Sequence, residues 1–355
     1  MDKKIIREIT GKNAGAVYLQ SLNGKAVILA GSDLTRGVSL VSLGAEYSGS
    51  AKVVSRNDLR SVKSSLELAD ASRITEDGEY LMFGNIELRA VETDAPVDVS
   101  LMGKAPLESI SLDTDTTAET MKLAEYASKD EIRCFLNGVY FAVNGEIVAT
   151  DGRRLGLYRT PAKFGGWIIH REVFGKFSKP KTLTIDVMRR SGGEDKNTLL
   201  RLSDGKKTVF AETINAVFPN YKRVIPDANE RAEENKITFD YPKFKNYIKE
   251  VSGIKNLSNG KVVLYKRDIW CKDIKVGGLN FDLDMPIFME ASYLFDAVKD
   301  GGQIKWSERE RFGDRNIKCV EKAVVFGTEQ QMSVVMPFAF NDDILPESMR
   351  EKGEN

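Results

Sequence analysis

Asp151, Arg153 and Arg154 fall within one short turn, Thr150-Asp151-Gly152 followed by two arginines and Leu155, and as a set they could serve as an acid and a phosphate clamp. A lysine or tyrosine would have to supply the base. The rest of the chain does not equip such an enzyme, because it has no glycine-rich phosphate loop and no plausible nucleophile pair. One histidine, His170, and three widely spaced cysteines leave a zinc site or histidine catalysis almost without raw material. No catalytic residue, no metal site and no cofactor are expected. Cys134, Cys271 and Cys319 form an odd set in apolar contexts and predict reduced, buried thiols of a cytosolic protein.

The elements that carry the turn are legible on both sides of it. Residues 133–155 predict two strands joined at Asn144-Gly145, the second running into the turn that presents Arg153, Arg154 and Leu155. With 355 residues, two or three domains of roughly 100 to 150 residues are expected. Lys+Arg number 52 and Asp+Glu 52, so the formal net charge is 52 − 52 = 0. A nucleic-acid binder of this balance must segregate its charges, because phosphate attraction is screened within about 10 Å. No apolar run approaches the roughly 18 residues needed to cross a bilayer, and Met1-Asp-Lys-Lys is not followed by a signal-peptide core, so a soluble cytoplasmic protein without a membrane partner is expected.

Helical signals recur between strand-rich stretches. Ser55 predicts an N-cap before Leu59, Val62 and Leu66, and a helix at about 56–69, whose partner must lie within residues 1–12. Thr116 with Glu119 predicts a capping box before Met121, Ala124 and Ala127. A short helix after Trp167-Ile-Ile-His170 should bury Val173, Phe174 and Phe177 and stop before Pro180. Asp240 and Pro242 predict the start of a helix with Phe244, Tyr247, Ile248 and Val251 on one side, and a last helix at about 289–299 carries Leu294, Phe295 and Val298. Between them lie β-rich segments such as 16–19, 25–29, 80–89, 261–265 and 332–337. The class is α+β with antiparallel sheets. Gly103-Lys-Ala-Pro106 and the charged run 227–235 predict linkers. The expected units are 1–105, 106–228 and 229–340, with an acidic tail at 341–355.

Four segments, in order along the chain, resemble the bacterial β sliding clamp, the processivity factor of DNA polymerase III. Residues 23–34 resemble its glycine-threonine-aspartate-leucine segment, and 133–155 its leucine-asparagine-glycine strand and alanine-threonine-aspartate-glycine-x-arginine-leucine turn. Phe218-Pro-Asn-Tyr-Lys-Arg-Val-Ile-Pro226 is similar to phenylalanine-proline-x-tyrosine-x-arginine-valine-leucine-proline, and Val334-Val-Met-Pro337 to the family's valine-valine-methionine-proline.

The resemblance implies a non-catalytic, head-to-tail ring of two chains, each of three clamp-type domains with sheets outside and helices lining a hole for double-stranded DNA. The predicted helices carry basic residues off their apolar stripes, namely Arg56, Arg60, Lys63, Lys122, Arg171, Lys176, Lys245, Lys249 and Lys299. Contacts from these would be to phosphates and blind to sequence. The family's groove for peptide tails of DNA polymerase and clamp loader carries over to Leu136, Thr150, Gly152, Arg153, Arg154, Leu155, Pro219, Arg223, Val224, Val334, Val335, Met336, Pro337 and Phe338. Apolar walls would take aliphatic or aromatic side chains, and guanidinium groups would bind carbonyls or a glutamine.

This chain departs from the family in three places. Arg153 stands where the family commonly has histidine. The first unit is shorter before its 16–19 strand, and the chain continues past Met336-Pro337 to Asn355, as in a divergent phage or mobile-element version. A different class, a clamp-fold peptide binder that closes no ring on DNA, is the alternative expectation.

Overall fold

The computed structural model describes residues 3–11, 16–31, 33–69, 72–190, 197–226, 235–236, 260–271, 273–279, 281–283, 285–298, 303–305, 310–312, 318–320 and 323–337. One plan repeats along it, a helix followed by three strands. Helix α1 (Lys3–Thr10) precedes β1 (Val17–Leu22), β2 (Lys25–Ala30) and β3 (Val38–Glu46). Strand β4 (Lys52–Val54) leads into α2 (Arg56–Ser61) and α3 (Lys63–Leu68), then β5 (Ile74–Asp77), β6 (Tyr80–Phe83) and β7 (Ile86–Glu92). Strand β8 (Glu108–Leu112) leads into α4 (Thr114–Leu123), then β9 (Gly138–Phe141), β10 (Glu146–Thr150) and β11 (Arg154–Arg159). Strand β12 (Trp167–His170) leads into α5 (Arg171–Phe174), then β13 (Leu183–Arg190), β14 (Thr198–Ser203) and β15 (Thr208–Glu212).

Strand β16 (Asn235–Lys236) is followed by β17 (Lys261–Tyr265), β18 (Asp268–Cys271) and β19 (Ile274–Gly278). The helix expected after Asp240 lies outside the described residues, as does most of the 227–235 linker. Finally β20 (Ile287–Glu290) leads into α6 (Ala291–Val298), β21 (Gln303–Lys305), the hairpin β22 (Glu310–Phe312) and β23 (Lys318–Val320), then β24 (Val324–Gly327) and β25 (Gln331–Val335).

The chain divides into two compact units, residues 1–145 with 162–217, and 146–161 with 218–355. The first is organised by an eleven-stranded sheet of order β5-β6-β7-β4-β1-β2-β3-β15-β14-β13-β8. Its middle is the antiparallel pairing of Val38, Ser39 and Leu40 with Phe210, Val209 and Thr208, so residues on either side of the 105/106 boundary share one sheet. Burial holds that junction together: Val27, Leu29, Val38 and Phe210 belong to one apolar cluster. The expected linker 103–106 is the exposed link after a 3-10 turn, Val99–Gly103, whose Met102 carbonyl accepts from Arg201 at 3.0 Å. Also in this unit, β12 pairs with β9. A side chain at Gly138 would put its Cβ 2.6 Å from the Ile169 carbonyl, which explains the glycine after Asn137.

The N-terminal helix is present where position alone required it. Ile6 and Ile9 are buried in one core with Leu59 and Leu66, and Lys3 and Arg7 face solvent. The single helix expected at 56–69 is two helices that meet at Val62 (φ −103°, ψ 11°). Ser61 Oγ donates to the Asp58 carbonyl at 2.7 Å, the local competition with helical bonding that serines offer. Ser55 occupies the N-cap position without a side-chain cap bond. At α4 the expected capping box is replaced: Asp113 caps, its Oδ1 accepting from the Thr116 amide at 2.8 Å, and Thr116 is buried inside the helix. Residues 133–136 belong to a 3-10 turn (Glu131–Leu136) rather than a strand, and Cys134 is exposed, contrary to the expectation of buried thiols. Cys271 is buried as expected.

In the second unit, β10, β11, β25, β24, β21 and β16 pair in that order, and β19, β18, β17 and β20 form another antiparallel sheet. Helix α6 packs Leu294, Ala297 and Val298 against Val324, Phe326 and Val335.

Candidate peptide-binding site and basic helix faces

The turn between β10 and β11 is built by its own side chains. Gly152 takes φ +89°, a region that disfavours other residues. Asp151 Oδ1 accepts from the amides of Arg153 (2.9 Å) and Arg154 (3.0 Å). Thr150 Oγ1 accepts from the Gly152 amide at 3.0 Å and donates to the Arg154 carbonyl at 2.6 Å. Beyond the turn, β11 pairs with β25 so that Leu155 faces Val334 and Arg154 faces Val335. One step further, the Met336 amide donates to the Arg153 carbonyl at 3.0 Å. Leu155, Val334 and Val335 are buried, Pro337 is half-buried and Met336 is 43% exposed.

The two arginines differ. Arg154 is only 11% exposed; its guanidinium pairs with Asp151 (3.2 Å) and Asp296 and lies 4.7 Å from the centre of the Tyr293 ring. Arg153 is exposed. Burial pushes the Tyr293 hydroxyl up in pKa, reinforced by Asp151 and opposed by Arg154 and Arg153. Burial likewise raises the Glu290 carboxyl, against the pull of Lys261 and Arg153.

The segment 218–224 has a buried anchor and an exposed rim. Phe218 and Tyr221 are buried with ring centroids 6.2 Å apart, and the Tyr221 hydroxyl donates to Glu146 Oε2 at 2.5 Å. Glu146 also meets Arg159 Nε at 3.1 Å and Lys222 Nζ at 3.9 Å. Pro219, Arg223 and Val224 (47% exposed) lie on the surface. Thr150, Gly152, Leu155, Val334 and Met336 are thus brought together by pairing, and the 218–224 segment is fastened to the start of β10. Leu136 is buried at the end of its 3-10 turn in the first unit, and Phe338 lies outside the described residues.

Glu146, Tyr293 and Asp296 escaped sequence reasoning, and Tyr221 entered it only as the tyrosine of the 218–226 resemblance. Glu146, an acid opening the otherwise apolar run Glu-Ile-Val-Ala-Thr, was the one available signal.

Of the basic candidates, Arg56 is half-buried with an Nε that has no hydrogen-bond partner, and Arg60 Nε donates to the Thr10 carbonyl at 3.0 Å, tying α2 to α1. Lys122 pairs with Glu119 at 3.8 Å, and Lys63, Arg171 and Lys176 are half-buried. Lys3 and Arg7 of α1 add two exposed cations that the helical stripes did not include. Lys245, Lys249 and Lys299 lie outside the described residues. Among the described residues no group of three or more His, Cys, Asp or Glu could hold a metal ion, and no helix is long and apolar enough to cross a membrane.

The helix-and-three-strand plan, the sheet joined through β3 and β15, and the β10–β11 turn beside β25 define a protein of the DNA-clamp fold. More particularly, the fold is that of the bacterial DNA polymerase III β subunits. A β subunit from Thermotoga maritima matches with a TM-score of 0.65 at 18% identity, covering 96% of this chain and 97% of that one. A sliding clamp from Bartonella birtlesii, solved bound to griselimycin, matches at 0.67 and 17% over 96% and 99%. The Caulobacter crescentus β sliding clamp gives 0.67 and 18% over 95% and 96%. In sequence, the Caulobacter vibrioides β sliding clamp is 28% identical over 176 residues, a match that spans 44% of either chain. No family model matches the chain.

Proposed function

We propose that this chain is a DNA sliding clamp, a non-catalytic cytoplasmic processivity factor that encircles duplex DNA and tethers a DNA polymerase and clamp loader by short peptides. The observation that carries the reading is the likeness in fold to bacterial β subunits over 96% of the chain at a TM-score of 0.65. The Leu155, Val334 and Met336 strip beside the 150–154 turn supports the peptide-binding part, since a few apolar anchors carry most of the energy of such contacts. The three-domain division at 105 and 228 follows the repeating plan of helix and three strands.

Ring closure has a template inside the first unit. There the last strand of one set, β3, pairs with the last strand of another, β15. Among the described residues the corresponding strands without such a partner are β7, whose residues 86–89 pair only with β6, and β19, which pairs only with β18. Pairing of β7 with β19 of a second copy would close a head-to-tail dimer, because an open strand edge is a ready template. Sedimentation should give a dimer at micromolar concentration, and the loaded protein should be retained on circular DNA and lost from the same DNA once linearised. A monomer that still captures peptides would instead favour a clamp-fold peptide binder that closes no ring.

A further inference from the structure

The strands that open the sets of helix and three strands each add, antiparallel, to the edge of another set: β4 lies beside β1, β8 beside β13, β12 beside β9, β16 beside β21 and β20 beside β17. No described strand takes the corresponding place beside β5, which ends the eleven-stranded sheet with β6 as its one ladder among the described residues. The end of β3 touches this edge only at its start, where Glu46 bridges Arg73 and the Glu46 amide donates to the Ser72 carbonyl at 2.9 Å. Asp77 and Tyr80 close the two-residue turn Gly78-Glu79, so antiparallel alternation gives the main-chain groups of Thr75 and Asp77 to β6 and turns those of Glu76 outwards. Glu76 is an exposed residue whose side chain is only 29% exposed, so much of what water reaches is its main chain.

The two faces of this open strand differ. Ile74 is buried, and beside it lies a cavity of about 470 Å³ lined by Gly24, Glu46, Tyr47, Gly49, Ile74 and Glu76 among others. The Glu76 carboxylate there is satisfied from within, accepting from the Tyr47 hydroxyl at 2.5 Å and meeting the buried Lys52 Nζ at 3.2 Å. On the other face Thr75 and Asp77 are exposed. The segment 73–94 around them holds six acids, Glu76, Asp77, Glu79, Glu87, Glu92 and Asp94, against Arg73 and Arg89, so its charge is 2 − 6 = −4 in a chain whose net charge is zero. We propose that β5 docks an extended basic segment of a partner protein, added antiparallel as a further strand. Its apolar side chains lie on the Ile74 face over the cavity, its lysines or arginines on the Asp77 face. An open edge is a ready template for a strand, and opposite charges across a ladder stabilise it while like charges oppose it. Because β6 separates β5 from β7, this site and the ring-closing pairing proposed above stand or fall separately.

The probe is a capped hexapeptide of alternating lysine and valine, added to the full chain at low salt and followed by calorimetry and by hydrogen exchange at the Glu76 amide. It should bind about tenfold tighter than its glutamate-valine counterpart and slow the Glu76 amide by at least about tenfold at saturation. Residues opposite one another share a face, so the valines would exchange main-chain bonds with Ile74 and Glu76, and the lysines would turn theirs away. N-methylation of the valines should therefore abolish binding, and N-methylation of the lysines should spare it. Glu46→Gln with Asp77→Asn should bring the two peptides' affinities together and leave the sedimentation of the chain unchanged. Equal binding of both peptides to the wild type, binding that survives N-methylation of the valines, or an unprotected Glu76 amide would each overturn the proposal. A Glu76 amide already protected in the free chain would mean that the edge is filled, by a second copy if the protection rises with protein concentration, and would overturn it too.

Discussion

Glu146 stands directly opposite Arg159 in the β10–β11 ladder, and its buried carboxylate is shared between that guanidinium, at 3.1 Å, and the Tyr221 hydroxyl, at 2.5 Å. A buried carboxylate needs such partners. Here the partner also fastens the 218–224 segment to the sheet that carries the turn. Tyr221→Phe keeps the ring against Phe218 and removes only the hydroxyl, so it should cost about 1.5 to 3 kcal/mol of stability in denaturant unfolding. Combined with Glu146→Gln in a double-mutant cycle, the two changes should be strongly non-additive. Additive losses would mean that the bond contributes nothing of its own.

Met336 is the cleaner probe of the apolar strip. Leu155 is 3% exposed, so a charge there would disturb the fold as well as any ligand, whereas Met336 is 43% exposed. Met336→Asp should leave the melting temperature nearly unchanged and weaken an anchor peptide by at least about 2 kcal/mol, the threshold of a binding hot spot. Unchanged affinity in calorimetry would move the site elsewhere.

His170 supplies a pH dependence. Its Nδ1 accepts the Glu172 amide at 3.2 Å at the start of α5, which requires a ring nitrogen without a proton. Burial lowers its pKa, helped by Arg36 and Arg171 and opposed by Glu172 and Asp33. A folded-state pKa below the unfolded one means that the unfolded chain binds the proton first. The contribution is therefore complete above about pH 6.5 and is lost as the pH falls from there towards the folded-state pKa, by no more than about 1.4 kcal/mol per pH unit. Unfolding at pH 7.5 and 5.5 should show a larger loss for the wild type than for His170→Asn, which can still cap. Equal losses would remove His170 as the cause.

What was legible in the sequence follows from the range of the interactions. The 150–155 turn is written locally in Thr150, Asp151 and Gly152, and its side-chain bonds span no more than four residues. The burial of Val173, Phe174 and Phe177 was equally readable from spacing. The break at Val62 was not, because Leu59, Val62 and Leu66 keep a helical spacing across it. Asp113, a stronger capping acceptor than threonine, is the cap, and Thr116 lies buried inside the helix. Asp296 reaches Arg154 across 142 residues and Tyr221 reaches Glu146 across 75, so only the fold could pair them.

The basic helix faces predict a charge-reversal experiment, with one change that the geometry dictates. Arg60 ties α2 to α1 through the Thr10 carbonyl, so its reversal tests stability as well as DNA binding and belongs in a separate variant. Glutamate at Lys3, Arg7, Lys63, Lys245 and Lys249 should reduce retention on circular DNA and flatten its salt dependence by about 0.9 in log–log slope for each phosphate left without its cation. The dimer should persist. Unchanged retention would mean that these faces do not meet the duplex.

The chain beyond β25 leaves from the strip itself, since Met336 is hydrogen-bonded to Arg153 and Pro337 follows it. Residues 341–355 lie outside the described residues, but their sequence sets Asp342 and Asp343 beside Ile344 and Leu345, with Met349 and Glu351 further on. This joins acidic and apolar side chains as the strip and Arg153 would require of a ligand. If the tail occupies the site part of the time, the apparent affinity for an added peptide falls by the fraction of molecules left competent. Deleting residues 341–355 should then raise peptide affinity, and the gain should diminish at high salt as the acidic groups are screened. Equal calorimetric affinities for the full-length and truncated chains at low salt would leave the tail without a part in the site.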